Sequence, residues 1–246
     1  MPQIVHTAAA LIIGNELLSG KVADANLVVL ARALRAVGVE LRRVVMVLDH
    51  VQTIADEVRE LARTHDVVFT SGGVGPTHDD VTIDAVALAF GAEVVESEPM
   101  AAMLRAHYGA ALGEGHLRMA RVPAGAELAT NDEVRWPTVV MRNVWVLPGI
   151  PEVFRMKLPL LRGRIAGPEP FVSRAVYTNL DEPDLKPLLD RVVAAHADVE
   201  VGSYPTWRDA AYRTKLTFDG RDADAVARAC DAFVALLPHG EPQRIE

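Results

Sequence analysis

The first two thirds of the chain alternate between short apolar runs and longer segments whose apolar residues recur every three or four positions. The apolar runs at 8–13, 41–48 and 67–70 are typical of parallel strands covered on both faces. Helical stripes lie between them at 27–37 and 54–61. This alternation predicts an α/β fold, a doubly wound and mostly parallel sheet with right-handed crossovers.

A third helix is predicted after Asp79 and Asp80, whose carboxylates suit a first helical turn, and it should end at Gly91. Residues 138–141 and 144–147 predict a hairpin with a tight turn between them. A closing helix is expected over 152–161.

The Gly- and Pro-rich segment 162–170 disfavours both helix and strand, so we predict a linker there and domains at 1–165 and 170–246. Beyond it, the pattern predicts a small α+β domain of order βαββα. Its predicted elements are strand 171–178, helix 184–196, strands 199–204 and 211–218, and helix 222–237 capped by Asp222. Cys230 lies at helical spacing from Val226 and Phe233, which predicts a buried core residue.

Composition narrows the class of protein. The chain has 246 residues, 50% hydrophobic and 24% charged, the balance of a globular protein with a proper core. Its formal net charge is −8, and we therefore expect no nucleic-acid partner. A single cysteine excludes an intramolecular disulfide. Because the N-terminus lacks a basic signal-peptide region and its apolar run is too short to span a bilayer, we expect a cytoplasmic protein without a membrane partner.

The most informative stretch is the glycine-rich segment 70–82, predicted to join a strand to a helix at the carboxyl edge of the sheet. Three glycines let backbone N–H groups approach one point, which suits the oxygens of a phosphate or pyrophosphate. The G-x-G-x-x-G and P-loop spacings are absent. A merely tight structural turn is the alternative. The candidate ligand-binding residues here are Thr70, Ser71, Gly72, Gly73, Val74, Gly75, Pro76, Thr77 and Thr82.

Asp79 and Asp80 would repel an anion bound by that loop, and a divalent metal resolves the conflict because carboxylates and substrate phosphates hold such an ion together. Asp80 is the first candidate for metal ligand or base, and Asp79 is a second metal ligand. Alternatively, both acids only stabilise a helix N-terminus. His78, inside the loop, is a weaker candidate.

A second polar cluster follows the first predicted strand. Gly14, Asn15 and Glu16 are candidate ligand-binding residues. The side chains of Glu16 and Asn15 could recognise a ring or ribose by hydrogen bonding, and Glu16 is also a candidate catalytic residue. Asp24 and Asn26 complete the cluster as candidate ligand-binding residues. A plain helix cap is the alternative for these two.

These motifs resemble the molybdopterin-binding-like domain family, and within it the CinA (competence/damage-inducible) branch. The resemblance rests on the segments 14–20, 71–75 and 75–82, the Asp24 to Asn26 pair, and Leu147-Pro148-Gly149, and it covers about 4–161. It adds Pro148 and Gly149 to the ligand-binding residues. The tail, including residues 201–205, resembles the KH-like domain that follows in CinA proteins, although no basic Gly-x-x-Gly loop supports RNA binding.

Two departures from the CinA pattern matter. CinA proteins often continue into a nicotinamide-nucleotide amidase domain, and that activity is not expected here. A Gly-Thr-Ala-Pro-Gly stretch common in CinA is replaced by residues 131–137, which with 142–144 and 148–152 are closer to the N-terminal domain of eukaryotic FAD synthases.

For both relatives the resemblance implies metal-dependent hydrolysis of a dinucleotide pyrophosphate such as ADP-ribose or FAD, with Mg²⁺, Mn²⁺ or Co²⁺ as cofactor. The main alternative is a molybdopterin-binding or biosynthetic module that binds a pterin phosphate without cleaving it. A regulatory scaffold that dimerises through the tail is a third hypothesis. The expected partners are a small nucleotide or pterin ligand and a second copy of the chain in a homodimer.

Overall fold

The first long apolar run forms a strand, Thr7–Ile13, that is buried on both faces. Alternate residues from Ala9 to Ile13 pack in one hydrophobic core, and those from Ala8 to Ile12 pack in another. Because both faces of the strand are covered, its sequence is continuously apolar and does not alternate.

The computed structural model describes residues 2–207 and 211–246, and the chain divides into two compact units, Met1–Pro168 and Glu169–Glu246. The strands of the first unit are β1 Gln3–Ile4, β2 Thr7–Ile13, β3 Glu40–Val47, β4 Val67–Ser71, β5 Val94–Glu96, β6 Arg121–Pro123, β7 Glu127–Ala129, β8 Thr138–Met141, β9 Val144–Leu147 and β10 Ile165–Ala166. Its α-helices are α1 Asn15–Leu18, α2 Leu27–Ala36, α3 Val51–Thr64, α4 Thr82–Phe90, α5 Glu98–Tyr108, α6 Glu114–Arg118 and α7 Pro151–Arg164.

The main sheet of this unit has the strand order β3-β2-β4-β9-β8-β7 in the described residues. The first four of these strands are parallel, and β8 runs antiparallel to both β9 and β7. Helices α3 and α4 pack in the core on one face, and α2 and α7 pack on the other. The predicted doubly wound, mostly parallel α/β fold is confirmed.

Several element predictions are confirmed closely. The hairpin strands occupy 138–141 and 144–147, with Arg142 at φ 55° in the turn. Helix α4 ends at Gly91, which adopts a left-handed conformation with φ 66°. The closing helix is longer than predicted and runs over Pro151–Arg164.

Two predictions about the first unit are wrong. Strand β3 is not covered on both faces, because it is an edge strand and Val44 and Met46 are each 40% exposed. The segment 162–170 is not simply a linker: α7 continues to Arg164, and β10 pairs in parallel with β1. Ile165 and Ala166 pair with β1, and the Gly167 N–H donates to the Val37 carbonyl, so this part of the segment is bonded to the first unit.

The second unit contains β11 Val172–Thr178, α8 Glu182–Ala195, β12 Glu200–Pro205, β13 Thr214–Gly220, α9 Ala223–Val234 and β14 Arg244–Ile245. The predicted βαββα order is present, with β14 added beside β11. The third predicted strand begins at Thr214, not at 211. Asp222 caps α9 by accepting the N–H groups of Asp224 and Ala225, and Cys230 is fully buried.

Residues 92–122, for which periodicity predicts no element, contain α5, α6 and a short antiparallel pair of strands, β5 and β6. None of the helices in the described residues combines the length and apolar character needed to cross a membrane.

Candidate functional site

The carboxyl ends of the four parallel strands meet at one edge of the main sheet. From β2 the chain crosses to β3 on one side, and it then returns to β4 on the other side. Ligands of open α/β sheets bind where the strand order reverses in this way. A cavity of about 680 Å³ lies at this edge, and its wall includes residues that follow β2, β3, β4 and β9.

The loop between β4 and α4 is held against the sheet by backbone geometry that requires glycine. Gly72 has φ 110°, and a Cβ there would lie 2.1 Å from the carbonyl oxygen of Ile13. Gly72 N–H donates to the Leu147 carbonyl, while the Thr82 hydroxyl donates to the Gly72 carbonyl at 2.8 Å. The loop is therefore fixed to both neighbouring strands and to the start of α4.

Asp79 and Asp80 precede the helix and do not belong to its first turn. Helix α4 begins at Thr82, and its first-turn acid is Asp84. Asp80 instead closes the loop, because its carboxylate accepts both the N–H group (2.8 Å) and the hydroxyl of Thr77. The alternative that Asp79 and Asp80 only stabilise the helix N-terminus is therefore wrong, because neither residue lies in the first turn of α4.

Helix α1, which directly follows β2, brings Glu16 to the same cavity, and its first residue, Asn15, pairs with Asp49, a carboxylate that the sequence motifs do not predict. The N–H of Asn15 donates to Asp49 at 2.8 Å, and the N–H of Asp49 donates to the Asn15 side-chain oxygen at 3.2 Å. Partial burial raises the pKa of Asp49, the Asn15 N–H opposes this, and the negative charges of Glu16, Asp79 and Asp80 add to the rise. The four carboxylates thus interact electrostatically at one cavity.

Asp24 and Asn26 support the site from behind. Asp24 accepts the Leu27 N–H at 2.8 Å, as the helix-cap alternative predicts. Asn26 is buried, and its amide donates to the Ser71 hydroxyl at 3.0 Å and to the Gly149 carbonyl at 2.8 Å. Asn26 therefore links the end of β4 to the segment that follows β9.

The predicted site residues fall into two groups by position. The cavity wall includes Gly14, Glu16, Gly72, Gly73, Val74, Gly75, Pro76, Thr77, Asp79, Asp80, Pro148 and Gly149. In the described part of the chain, the cavity wall does not include the other predicted site residues, which are Asn15, Asp24, Asn26, Thr70, Ser71, His78 and Thr82. Thr70, Ser71 and Thr82 are buried in the structure behind the loop, whereas the His78 side chain is 95% exposed.

The cavity also contains residues without a sequence motif. Trp136 and Met119 contribute to an apolar part of the wall, and Lys157 of α7 adds a buried cation. Asp49, like the predicted site residues, follows the carboxyl end of a parallel strand, but no glycine-containing motif surrounds it. Lys157 lies on the buried face of α7 with Phe154, Leu160 and Leu161. A charged residue on the apolar face of a predicted helix could have been recognised from the sequence as a candidate functional residue.

The donor set suits a metal that is shared with a ligand and not caged by protein alone. Within the described part of the chain, no three His, Cys, Asp or Glu side chains converge as a complete metal site. Burial is the largest cause of the raised pKa of Asp49, and the charges of Glu16, Asp79 and Asp80 add to it. Mg²⁺-type ions commonly take one or two carboxylates together with substrate phosphates.

Comparison with known families agrees with this architecture. The family described as "Probable molybdopterin binding domain" matches residues 9–162, which include the whole cavity and all of the main sheet except the first two residues of β2. The chain belongs to the molybdopterin-binding domain family. A second family, described as "FAD synthase, middle domain", matches residues 170–245 of the second unit. The predicted resemblance to the molybdopterin-binding-like family is confirmed for the first unit, and the predicted similarity to FAD synthases is confirmed. The similarity to FAD synthases extends to the second unit, whereas the KH-like resemblance of the tail stays a prediction.

Relatives of this molybdopterin-binding domain protein include a protein of Archaeoglobus fulgidus, 32% identical over 92% of this chain and 95% of the relative. A "Probable FAD synthase" of Caenorhabditis elegans is 30% identical over 96% of this chain and 51% of the relative. A solved structure of CinA from Thermoplasma acidophilum has a TM-score of 0.59 and 29% identity, covering 65% of this chain and 97% of that chain. The chain therefore spans about half the length of the FAD synthase relative.

Proposed function

We propose that the chain is a divalent-metal-dependent nucleotide pyrophosphatase that cleaves a dinucleotide such as ADP-ribose or FAD. The observation that carries this proposal is the cavity in which the glycine loop and four carboxylates, Glu16, Asp49, Asp79 and Asp80, line one space. N–H groups of a glycine loop suit phosphate oxygens, and the carboxylates suit a metal and a water molecule. The FAD synthase relatives support a flavin dinucleotide among the candidates.

In this proposal the loop 72–75 binds the pyrophosphate, and Glu16 orients the rest of the ligand. Asp80, which accepts hydrogen bonds from Thr77, would hold a metal or position water, and Asp79 would be a further metal ligand. Water attacks one phosphorus atom, the bridging P–O bond breaks, and the released proton passes to a cavity carboxylate. The products are two phosphate monoesters, one of them AMP. A bound Mg²⁺, Mn²⁺ or Co²⁺ would neutralise phosphate charge and polarise the phosphoryl group.

Incubation of the purified protein with ADP-ribose, FAD and NAD, with and without each metal, tests the proposal through AMP release. We expect AMP with metal and none in excess EDTA, while the circular dichroism spectrum stays unchanged because the metal is not structural. Equal AMP release in EDTA would contradict metal dependence. Absence of AMP under every condition would contradict the hydrolase proposal.

The family description favours one second candidate, a module that binds a pterin phosphate and does not hydrolyse it. The same loop would bind the phosphate in that case. Tight binding of a pterin phosphate by a protein that releases no AMP from any dinucleotide would establish this alternative.

A further inference from the structure

Lys157 is a charged residue in a position where helices normally carry apolar side chains. It lies on the buried stripe of α7, and only 4% of its surface is exposed. Burial of an ammonium group costs several kcal/mol unless an opposite charge or several hydrogen bonds compensate it. The position therefore calls for an explanation of what stabilises the charge.

The hydrogen bonds of Lys157 account for part of that compensation. Its ammonium group donates to the backbone carbonyl of Trp136 and, at 3.1 Å, to that of Pro137. These bonds use two of the three N–H donors, but carbonyl oxygens carry no formal charge. Burial lowers the pKa of Lys157 to about 8, and no carboxylate of the described residues offsets this effect.

Lys157, Trp136 and Pro137 all line the cavity of the candidate site. Two other cations share its wall, and they differ from Lys157 in their surroundings. The Arg121 guanidinium is 2.6 Å from Asp84, and Arg118 is exposed. Of the three cations in the described part of this wall, Lys157 is the one that is buried and has no carboxylate partner.

An anchor for the backbone at Trp136 and Pro137 is the simpler interpretation, but it does not explain the uncompensated charge. Even for a buried ion pair, replacement by apolar residues of similar volume is often neutral or stabilising, so stability alone does not require a charge at this position. An anionic ligand in the cavity would supply the missing opposite charge. We propose that Lys157 is an anion-binding residue that holds a phosphoryl group of the ligand with the N–H not used by Trp136 and Pro137, an assignment that rests on the proposed function of the cavity.

This assignment specifies the ligand class more narrowly than the glycine loop does. Lys157 should distinguish a phosphorylated ligand from its nucleoside, because a nucleoside carries no charge for the ammonium group to bind. It should act before any cleavage, so its effect should appear in binding measured without metal or turnover.

The test is calorimetric binding of inorganic pyrophosphate, ADP-ribose and adenosine, in EDTA at pH 7.0, to the parent protein and to Lys157→Met. Methionine keeps most of the side-chain volume and removes the charge. We expect at least about tenfold weaker binding of pyrophosphate and ADP-ribose to Lys157→Met, the loss typical of one charged hydrogen bond, and unchanged binding of adenosine. Lys186→Met is the matched control, since Lys186 is an exposed residue of the second unit paired with Asp190, and it should bind like the parent.

Equal pyrophosphate binding by the parent and a folded Lys157→Met would overturn the assignment and leave Lys157 as a backbone anchor. If the variant does not fold, the parent protein still gives an answer by nuclear magnetic resonance, because the chain has only four lysines. Pyrophosphate, but not adenosine, should then shift the Lys157 side-chain resonances, and unmoved resonances would overturn the assignment. A parent protein that cleaves no dinucleotide, yet loses pyrophosphate affinity in Lys157→Met, would refute the hydrolase proposal and support Lys157 as an anion-binding residue.

Discussion

At the scale of single residues, the cavity combines groups that sequence motifs reveal with groups that only the fold reveals. Glu16 and Asp80 are predictable because each stands in a polar segment that follows an apolar strand. Asp49 follows the same rule after β3, but its contact with Asn15 joins residues 34 positions apart. The carbonyl partners of Lys157 lie about 20 positions away, so its burial depends on how α7 packs.

Lys157 should make stability depend on pH in a distinctive direction. Its folded-state pKa is about 8 against 10.5 for the free side chain, so between these values the unfolded chain binds more protons and the free energy of unfolding rises with pH. Relative to Lys157→Met, the parent should gain about 2 kcal/mol between pH 7.5 and 9.5. Urea unfolding followed by tryptophan fluorescence measures this difference, and all other ionisable groups cancel in it. A constant difference would show that the Lys157 pKa is not lowered.

At the scale of elements, prediction succeeds where burial dictates the pattern. The strands β2, β4, β8 and β9 are buried along nearly their whole length, and their boundaries follow from the apolar runs. Strand β3 has a similar apolar run but lies at the edge of the sheet. The run itself does not predict this position, because it depends on the order of the strands in the sheet. The apolar periodicity does not predict helix α5, although Ser97 at its N-cap and Pro99 in its first turn are residues typical of a helix start.

The loop between β4 and α4 should tolerate no side chain at Gly72. Alanine there would combine φ 110° with a Cβ only 2.1 Å from the Ile13 carbonyl oxygen. Gly20 is the matched control, since it also has a positive φ, 71°, but a Cβ there would meet no atom beyond its chain neighbours within 4 Å. We expect Gly20→Ala to lower the free energy of unfolding by about 1 kcal/mol and Gly72→Ala by at least about 2 kcal/mol more. Urea unfolding of both variants checks this, and equal losses would contradict the steric argument.

At the scale of the whole molecule, the two units have separate hydrophobic cores. Two core clusters cover the faces of the main sheet, and a third lies within the second unit around Phe218 and Phe233. The fold class follows from the sequence because the alternation of strands and helices leaves few topologies. The first unit ends at Pro168, inside the Gly- and Pro-rich segment 162–170 in which the sequence predicts the boundary, but composition does not reveal that β10 of this segment pairs with β1.

A chain ending at Pro168 should fold by itself, and a chain ending at Arg164 should be less stable. The shorter chain loses β10, including Ile165, which is 2% exposed, and the hydrogen bond from Val5 N–H to the Ala166 carbonyl. We expect a deficit of about 2–3 kcal/mol, mainly from the buried isoleucine side chain. Urea unfolding of the two truncated chains measures it. Absence of cooperative unfolding in the longer one would contradict an autonomous first unit.

Asp80 tests the central claim of a hydrolytic site most directly. Asp80→Asn should slow AMP release from the best substrate at least about a hundredfold, the cost of losing one catalytic group, while ligand affinity stays equal or improves as repulsion of the pyrophosphate falls. Asp56→Asn, which removes the same charge from an exposed position paired with Arg59, should behave like the parent. The decisive measurement is the rate of AMP release at saturating substrate and metal, with affinity measured separately. A hundredfold loss confined to Asp80→Asn agrees with the proposed function, and an unchanged rate contradicts it.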